Sequence, residues 1–122
     1  MKSYVKAKML THDAEAARQY RADPLIFRQI AVNILLDLHD TSTRLVKDAG
    51  AITVPTLVLA AGSDWVVKNA IQRRFVERLS STVKELHALP GFHHAIFHEQ
   101  DRQTDISQIP FARLRRRAIR AP

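Results

Sequence analysis

The stretch Thr53-Val54-Pro55-Thr56-Leu57-Val58-Leu59-Ala60-Ala61-Gly62-Ser63-Asp64 decides the fold. From Val54 to Ala61 it is apolar apart from Pro55 and Thr56, carries several β-branched residues, and stops at Gly62. A short apolar run closed by a turn signal reads as a strand buried on both faces, as in parallel sheets. Such a strand delivers Asp64 to the carboxyl edge of the sheet, where open α/β sheets hold their ligands and chemistry. A second landmark, Gly91-Phe92-His93-His94-Ala95-Ile96-Phe97-His98-Glu99, follows another strand-like run. Together the two suggest an acid and a base presented side by side.

Working outward, the first strand is expected at residues 52–60, and residues 69–79 put Ile71, Phe75 and Leu79 on one stripe of a crossover helix. Ser80-Ser81 breaks that helix, and residues 83–89 read as the next strand, bounded by Pro90-Gly91. Strand, helix and strand in this order make a right-handed parallel unit with both strand ends on one edge. Asp64 and His94 should therefore emerge together. Upstream, residues 11–13 carry an N-cap signal, and the helix they start should end before Asp23-Pro24. That pair is itself a start signal, with Asp as N-cap and Pro at the first helical position. From Leu25 the apolar residues Leu25, Ile26, Ile30, Ile34, Leu35 and Leu38 recur at helical spacing, so a long amphipathic helix is expected to about Lys47, closed by Gly50. Residues 1–10 are mildly basic and carry no readable pattern. Beyond Gln103 a last helix is expected, interrupted at Pro110.

Composition bounds what this site belongs to. With 122 residues the chain is one domain at most and short for a complete α/β enzyme. Its 46% hydrophobic and 25% charged content is ordinary for a globular protein. The absence of cysteine excludes disulfides, a thiol nucleophile and thiolate metal sites. No apolar run approaches a membrane span and the N-terminus lacks a signal-peptide layout, so a cytoplasmic location is the default. Five of the arginines, Arg113, Arg115, Arg116, Arg117 and Arg120, crowd the end of the chain; removing them from the formal net charge of +7 leaves +2. Basicity is thus a property of the tail, which is expected to be a solvated end. Phosphate or anionic lipid contact is the alternative, and nucleic acid is disfavoured because no aromatic residues interleave with the arginines.

Three groups of residues now carry a resemblance: the helical region; Val54-Pro55-Thr56-Leu57-Val58-Leu59 with Gly62-Ser63-Asp64-Trp65-Val66-Val67; and Pro90-Gly91-Phe92-His93-His94-Ala95-Ile96-Phe97-His98-Glu99. Over about residues 10–102 the chain resembles the C-terminal half of an α/β-hydrolase, in the lysophospholipase, monoacylglycerol lipase and serine aminopeptidase group. The resemblance implies that Asp64 is the triad acid and His94 the triad histidine, with His93 at a position usually filled by tyrosine. It implies an α/β fold, a partial α/β-hydrolase in which a parallel sheet follows a lid-like helical segment. The expected divisions are residues 1–50 for the lid-like part, 51–102 for the core and 103–122 for the basic tail.

Acyl transfer also needs a nucleophile on a G-x-S-x-G turn and backbone donors for the oxyanion. None of Ser3, Ser42, Ser63, Ser80, Ser81 or Ser107 has that setting. The expectation is therefore a half-domain, inactive alone, that would act on a lipid-like ester if an N-terminal half completed it. The alternative is a non-catalytic interaction protein using the edge of the half-sheet or the arginine-rich tail. Both readings predict self-association. No cofactor is expected, and no metal either, although His93, His94 and His98 invite that thought. Trp65 is either an acyl-pocket residue or a rim aromatic. Phe92, Ile96 and Phe97 are expected to pack the histidine loop on the sheet, and Glu99 to cap the following helix.

Overall fold

The computed structural model describes residues 2–3 and 5–120. Its centre is a two-stranded parallel sheet, β1 (Thr56–Ala61) beside β2 (Lys84–Leu89), in the register Thr56↔Lys84 through Ala61↔Leu89. Before it come α1 (Ala7–Leu10), α2 (Ala14–Ala22) and α3 (Val32–Lys47), and α4 (Asn69–Arg78) connects the strands. After the sheet come α5 (Arg102–Ser107) and α6 (Phe111–Arg120).

The period-two alternation of the strands separates two small cores. On one face Val58 and Leu86 meet Phe75 and Val76 of α4 and Leu79 just after it, with Ala49 and Ile52 from the turn after α3. On the other face Leu57, Leu59, Ala61 and Leu89 meet Phe92, Ile96, Ile106 and Ile109. The stripe read for the crossover helix is therefore the stripe that packs, apart from Ile71, which stays exposed.

β1 begins at Thr56, later than expected. Pro55 has no amide to give to a ladder, and the Thr56 hydroxyl turns back to the Val54 carbonyl at 2.8 Å. Burial on both faces is reached only at Ala60 and Ala61, because β1 is paired on one side alone among the described residues.

The largest departure lies at Asp23-Pro24. Asp23 ends α2 instead of starting the next helix: its backbone N–H donates to Gln19 O, and its Oδ1 accepts from the Leu25 amide at 2.8 Å, forming a turn. The Arg28 guanidinium then donates to the Tyr20 and Arg21 carbonyls, and residues 2 and 29 form an antiparallel bridge. These contacts hold residues 24–31 out of helical geometry, so α3 starts at Val32, and Leu25, Ile26 and Ile30 do not lie on it. The start of α2 is as read: Asp13 Oδ1 accepts from the amides of Glu15 and Ala16, both at 2.9 Å.

Both chain ends depart from expectation as well. The patternless N-terminal ten contain α1, and Leu10 O accepts from Ala95 N at 2.8 Å, tying it to the loop after β2. The arginine-rich end is not a loose solvated tail. Pro110 separates α5 from α6, Leu114 of α6 is buried, and Arg117 Nη1 lies 2.7 Å from Glu85 Oε1 on β2. Arg113 lies 3.8 Å from the other oxygen of Glu85. A hydrogen bond from His87, then the two guanidinium groups, hold the Glu85 carboxyl below its ordinary range.

Candidate functional site

The carboxyl ends of β1 and β2 are laced together by two short contacts, beside a turn that follows β2. Gly62 N donates to Leu89 O at 2.8 Å, Ser63 N donates to Phe92 O at 2.9 Å, and Phe92 N turns back to Leu89 O. Gly62 is required by this closeness: a Cβ there would lie 2.6 Å from Leu89 O and 2.9 Å from the Pro90 Cα. Gly91 is required by conformation, with φ of +77°. The lacing leaves Asp64 and His94 facing each other.

His94 Nδ1 lies 2.9 Å from Asp64 Oδ2. A carboxylate accepts, so this ring nitrogen carries the proton and Nε2 is left as the basic atom. The other carboxylate oxygen, Oδ1, accepts from Val66 N at 2.7 Å and Val67 N at 2.9 Å, so Asp64 also forms the turn that leads toward α4. Its side chain is 4% exposed against 39% for His94. Burial pushes the Asp64 carboxyl upward, but the hydrogen bonds from His94, Val67 and Val66 outweigh it and the net shift is downward. Asp64 is thus a charged, oriented acceptor, and His94 is a ring held by one edge with the other available.

Beside the pair lies an apolar cavity of about 350 Å³ whose walls include Leu45 and Val46 of α3, Val58 and Leu59 of β1, and Ile71 and Phe75 of α4. Trp65 is not one of its lining residues and is strongly exposed. Of the three residues expected to pack the histidine loop, Phe92 is buried and Ile96 packs beside it, whereas Phe97 is exposed.

Glu99 does not cap α5; its side chain turns inward and is 4% exposed. Oε1 accepts from His93 N at 2.8 Å and sits 3.0 Å from His12 Nδ1, while Oε2 accepts from His12 N at 2.9 Å and from the Thr11 hydroxyl. Burial raises this carboxyl, and the hydrogen bonds from His12 and His93 more than offset it, so its pKa too lies below the ordinary value. Glu99 therefore anchors the His94 loop to the segment ahead of α2. His12 stacks on His93 with ring centroids 3.8 Å apart. Sequence reasoning missed His12 because its partners lie more than eighty positions away; a histidine next to the α2 N-cap gave no signal. His93, His94 and His98 do not converge: His94 is held by Asp64, and the histidine that joins His93 is His12.

No helix among the described residues is long and apolar enough to cross a membrane.

Comparison with known proteins agrees with this architecture. The chain is 53% identical over 100 residues to the uncharacterized protein YnbC of Escherichia coli K12, covering 82% of this chain and 17% of that protein. It is 26% identical over 104 residues to a monoacylglycerol lipase of Mycolicibacterium smegmatis, covering 84% of this chain and 37% of the lipase. Among solved structures, the monoacylglycerol lipase of Paleococcus ferrophilus superposes with a TM-score of 0.82 at 24% identity, covering 93% of this chain and 44% of that one. A soluble variant of monoglyceride lipase from Saccharomyces cerevisiae, in complex with a substrate analogue, superposes at 0.77 with 17% identity, covering 97% and 43%. The chain thus spans less than half the length of the proteins it matches, and its fold is part of an α/β-hydrolase. Residues 1–101 match the family described as serine aminopeptidase, S33, and with its laced parallel strands this chain belongs to that hydrolase family.

Proposed function

We propose that Asp64 and His94 are the acid and base of a serine hydrolase triad acting on monoacylglycerol-like or lysophospholipid-like esters in the cytoplasm. The nucleophile and oxyanion donors come from an accompanying segment, since these 122 residues hold no G-x-S-x-G elbow. The observation that carries the reading is the 2.9 Å contact between His94 Nδ1 and a buried Asp64 oxygen, at the carboxyl ends of two parallel strands. With its Nδ1 proton held there, the ring presents Nε2 to take the serine proton during attack and return it to the leaving alkoxide. Asp64 stabilises the imidazolium formed in between. The apolar cavity beside the pair is the place for an acyl chain. The names of the monoacylglycerol lipase relatives support the substrate class.

The test is to combine the chain with a G-x-S-x-G-bearing segment of a relative and follow hydrolysis of a monoacylglycerol. His94→Ala should abolish turnover, and Asp64→Asn should lower kcat about 10⁴-fold by holding the ring in the wrong tautomer. Turnover indifferent to both substitutions would overturn the assignment.

A second reading is favoured by one observation: α3 buries none of its sixteen residues and exposes Val32, Leu36, Leu38 and Leu45. On that reading the chain is a non-catalytic interaction protein. Partner binding would then be unchanged by His94→Ala and lost on polar substitution along α3.

A further inference from the structure

We propose that His12, His93 and Glu99 form a site for a divalent first-row transition cation of the zinc type. One ring nitrogen from each histidine and one carboxylate oxygen of Glu99 lie within 4.8 Å of one another. Two imidazoles and a carboxylate are a donor set that suits zinc, with a further position left for water. His12 Nδ1 and Glu99 Oε1 are already 3.0 Å apart. Two ligands held at about 2.1 Å from one ion stand roughly 3–4 Å apart, so this pair needs little rearrangement.

Two independent features point to a ligand here. First, His93 Nδ1 is buried and has no hydrogen-bond partner among the described residues. Buried polar atoms are nearly always satisfied, and a cation would satisfy this one. Second, a cavity of about 360 Å³ reaches His12 and Glu99, and Asp101 and Asp105 are in its wall. That lining gives a cation an approach from solvent through a region of negative charge.

The surroundings are built to orient the carboxylate. The His12 amide and the Thr11 hydroxyl donate to Oε2 and the His93 amide to Oε1, so donors outside the ligand set orient the carboxylate, as at metal sites. His12 is the movable ligand: its side chain is 53% exposed. Its ring lies tilted against that of His93, with the planes meeting at 32°. Because His93 directly precedes His94, a bound ion clips the segment ahead of α2 to the loop that carries the proposed base. The ion holds that loop in place and takes no part in proton transfer.

The test is titration of the full chain, free of any affinity tag, with zinc chloride by calorimetry and with cobalt chloride by visible absorption. One equivalent should bind, and cobalt should show the intense visible bands of a four- or five-coordinate nitrogen and oxygen site. His12→Ala and His93→Phe should each weaken binding by more than the roughly 10–100-fold typical of a lost outer-shell partner. His98→Ala and His39→Ala should bind as the parent does. His12 is exposed, so its variant keeps the fold and the test stands even if the His93 variant does not. Absence of stoichiometric binding, or binding unchanged by His12→Ala, or loss that His98→Ala reproduces, would each overturn the site. Metal uptake is read without any ester substrate, so these outcomes are separate from the fate of the triad assignment.

Discussion

Gly62 sits just past β1 against the end of β2, and its missing side chain is what lets the two loops meet. Asp64 follows it by two positions, so any movement of the Gly62 backbone moves the acid relative to His94. Gly62→Ala would force a Cβ against the Leu89 carbonyl and the Pro90 Cα, which are backbone atoms and cannot swing away. We expect it to destabilise the fold by about 1–3 kcal/mol, the usual range for overpacking, and to lengthen the 2.9 Å contact between His94 and Asp64. Chemical denaturation measures the first effect. The second appears as loss of the downfield ring-proton resonance of His94. A Gly62→Ala variant of parental stability that keeps that resonance would show that the lacing is not what aligns the pair.

At the scale of elements, Glu99 is the residue that joins the two ends of the sequence. It links the turn before α2 to the loop after β2, and the bond from Ala95 N to Leu10 O runs alongside. Its carboxyl is held below the ordinary glutamate range. For a depressed carboxylate, the stabilisation is complete above the unfolded pKa and is lost as pH falls through the folded value. The window therefore opens at about pH 4.3 and extends downward. Asp64 contributes in the same direction through its lowered pKa, beginning near pH 3.9. Glu99→Gln keeps the size but replaces one acceptor oxygen by a donor that faces an amide. It should cost about 1–3 kcal/mol at neutral pH and flatten the acid limb of the stability curve. Thermal unfolding of parent and variant between pH 6 and pH 3 checks this, and parallel curves would remove Glu99 as the source of the acid limb.

At the scale of the molecule, burial is thin. The buried hydrophobic set is rich in alanine, and among the described residues no large side chain is less than 2% exposed. By contrast Leu25, Phe27, Leu36, Leu38 and Trp65 are each more than half exposed. An apolar surface of this extent drives association. We expect the chain to form concentration-dependent oligomers in sedimentation velocity, and Leu36→Glu with Leu38→Glu to shift the distribution toward monomer. A parent that stays monomeric across the accessible concentrations would remove self-association from the account. The basic end behaves differently from its composition, because Glu85 takes two of its arginines and leaves a helix docked on the sheet.

What the sequence by itself determined was local and periodic. The apolar run ending at Gly62, the crossover stripe Ile71, Phe75 and Leu79, the Asp13 cap and the Pro110 interruption each act within a few residues, so β1, α4, β2 and the start of α2 were legible, and with them the shared edge of Asp64 and His94. What only the tertiary structure decided were contacts between distant segments. Pro24 is equally compatible with starting a helix and with a turn; the Arg28 guanidinium and the bridge between residues 2 and 29 select the turn. Glu99 has the composition of a helix cap, yet it is drawn inward by donors at Thr11, His12 and His93. Spacing along the chain encodes the face a side chain occupies, but it does not encode which remote hydrogen-bond donors must be satisfied once that face is buried.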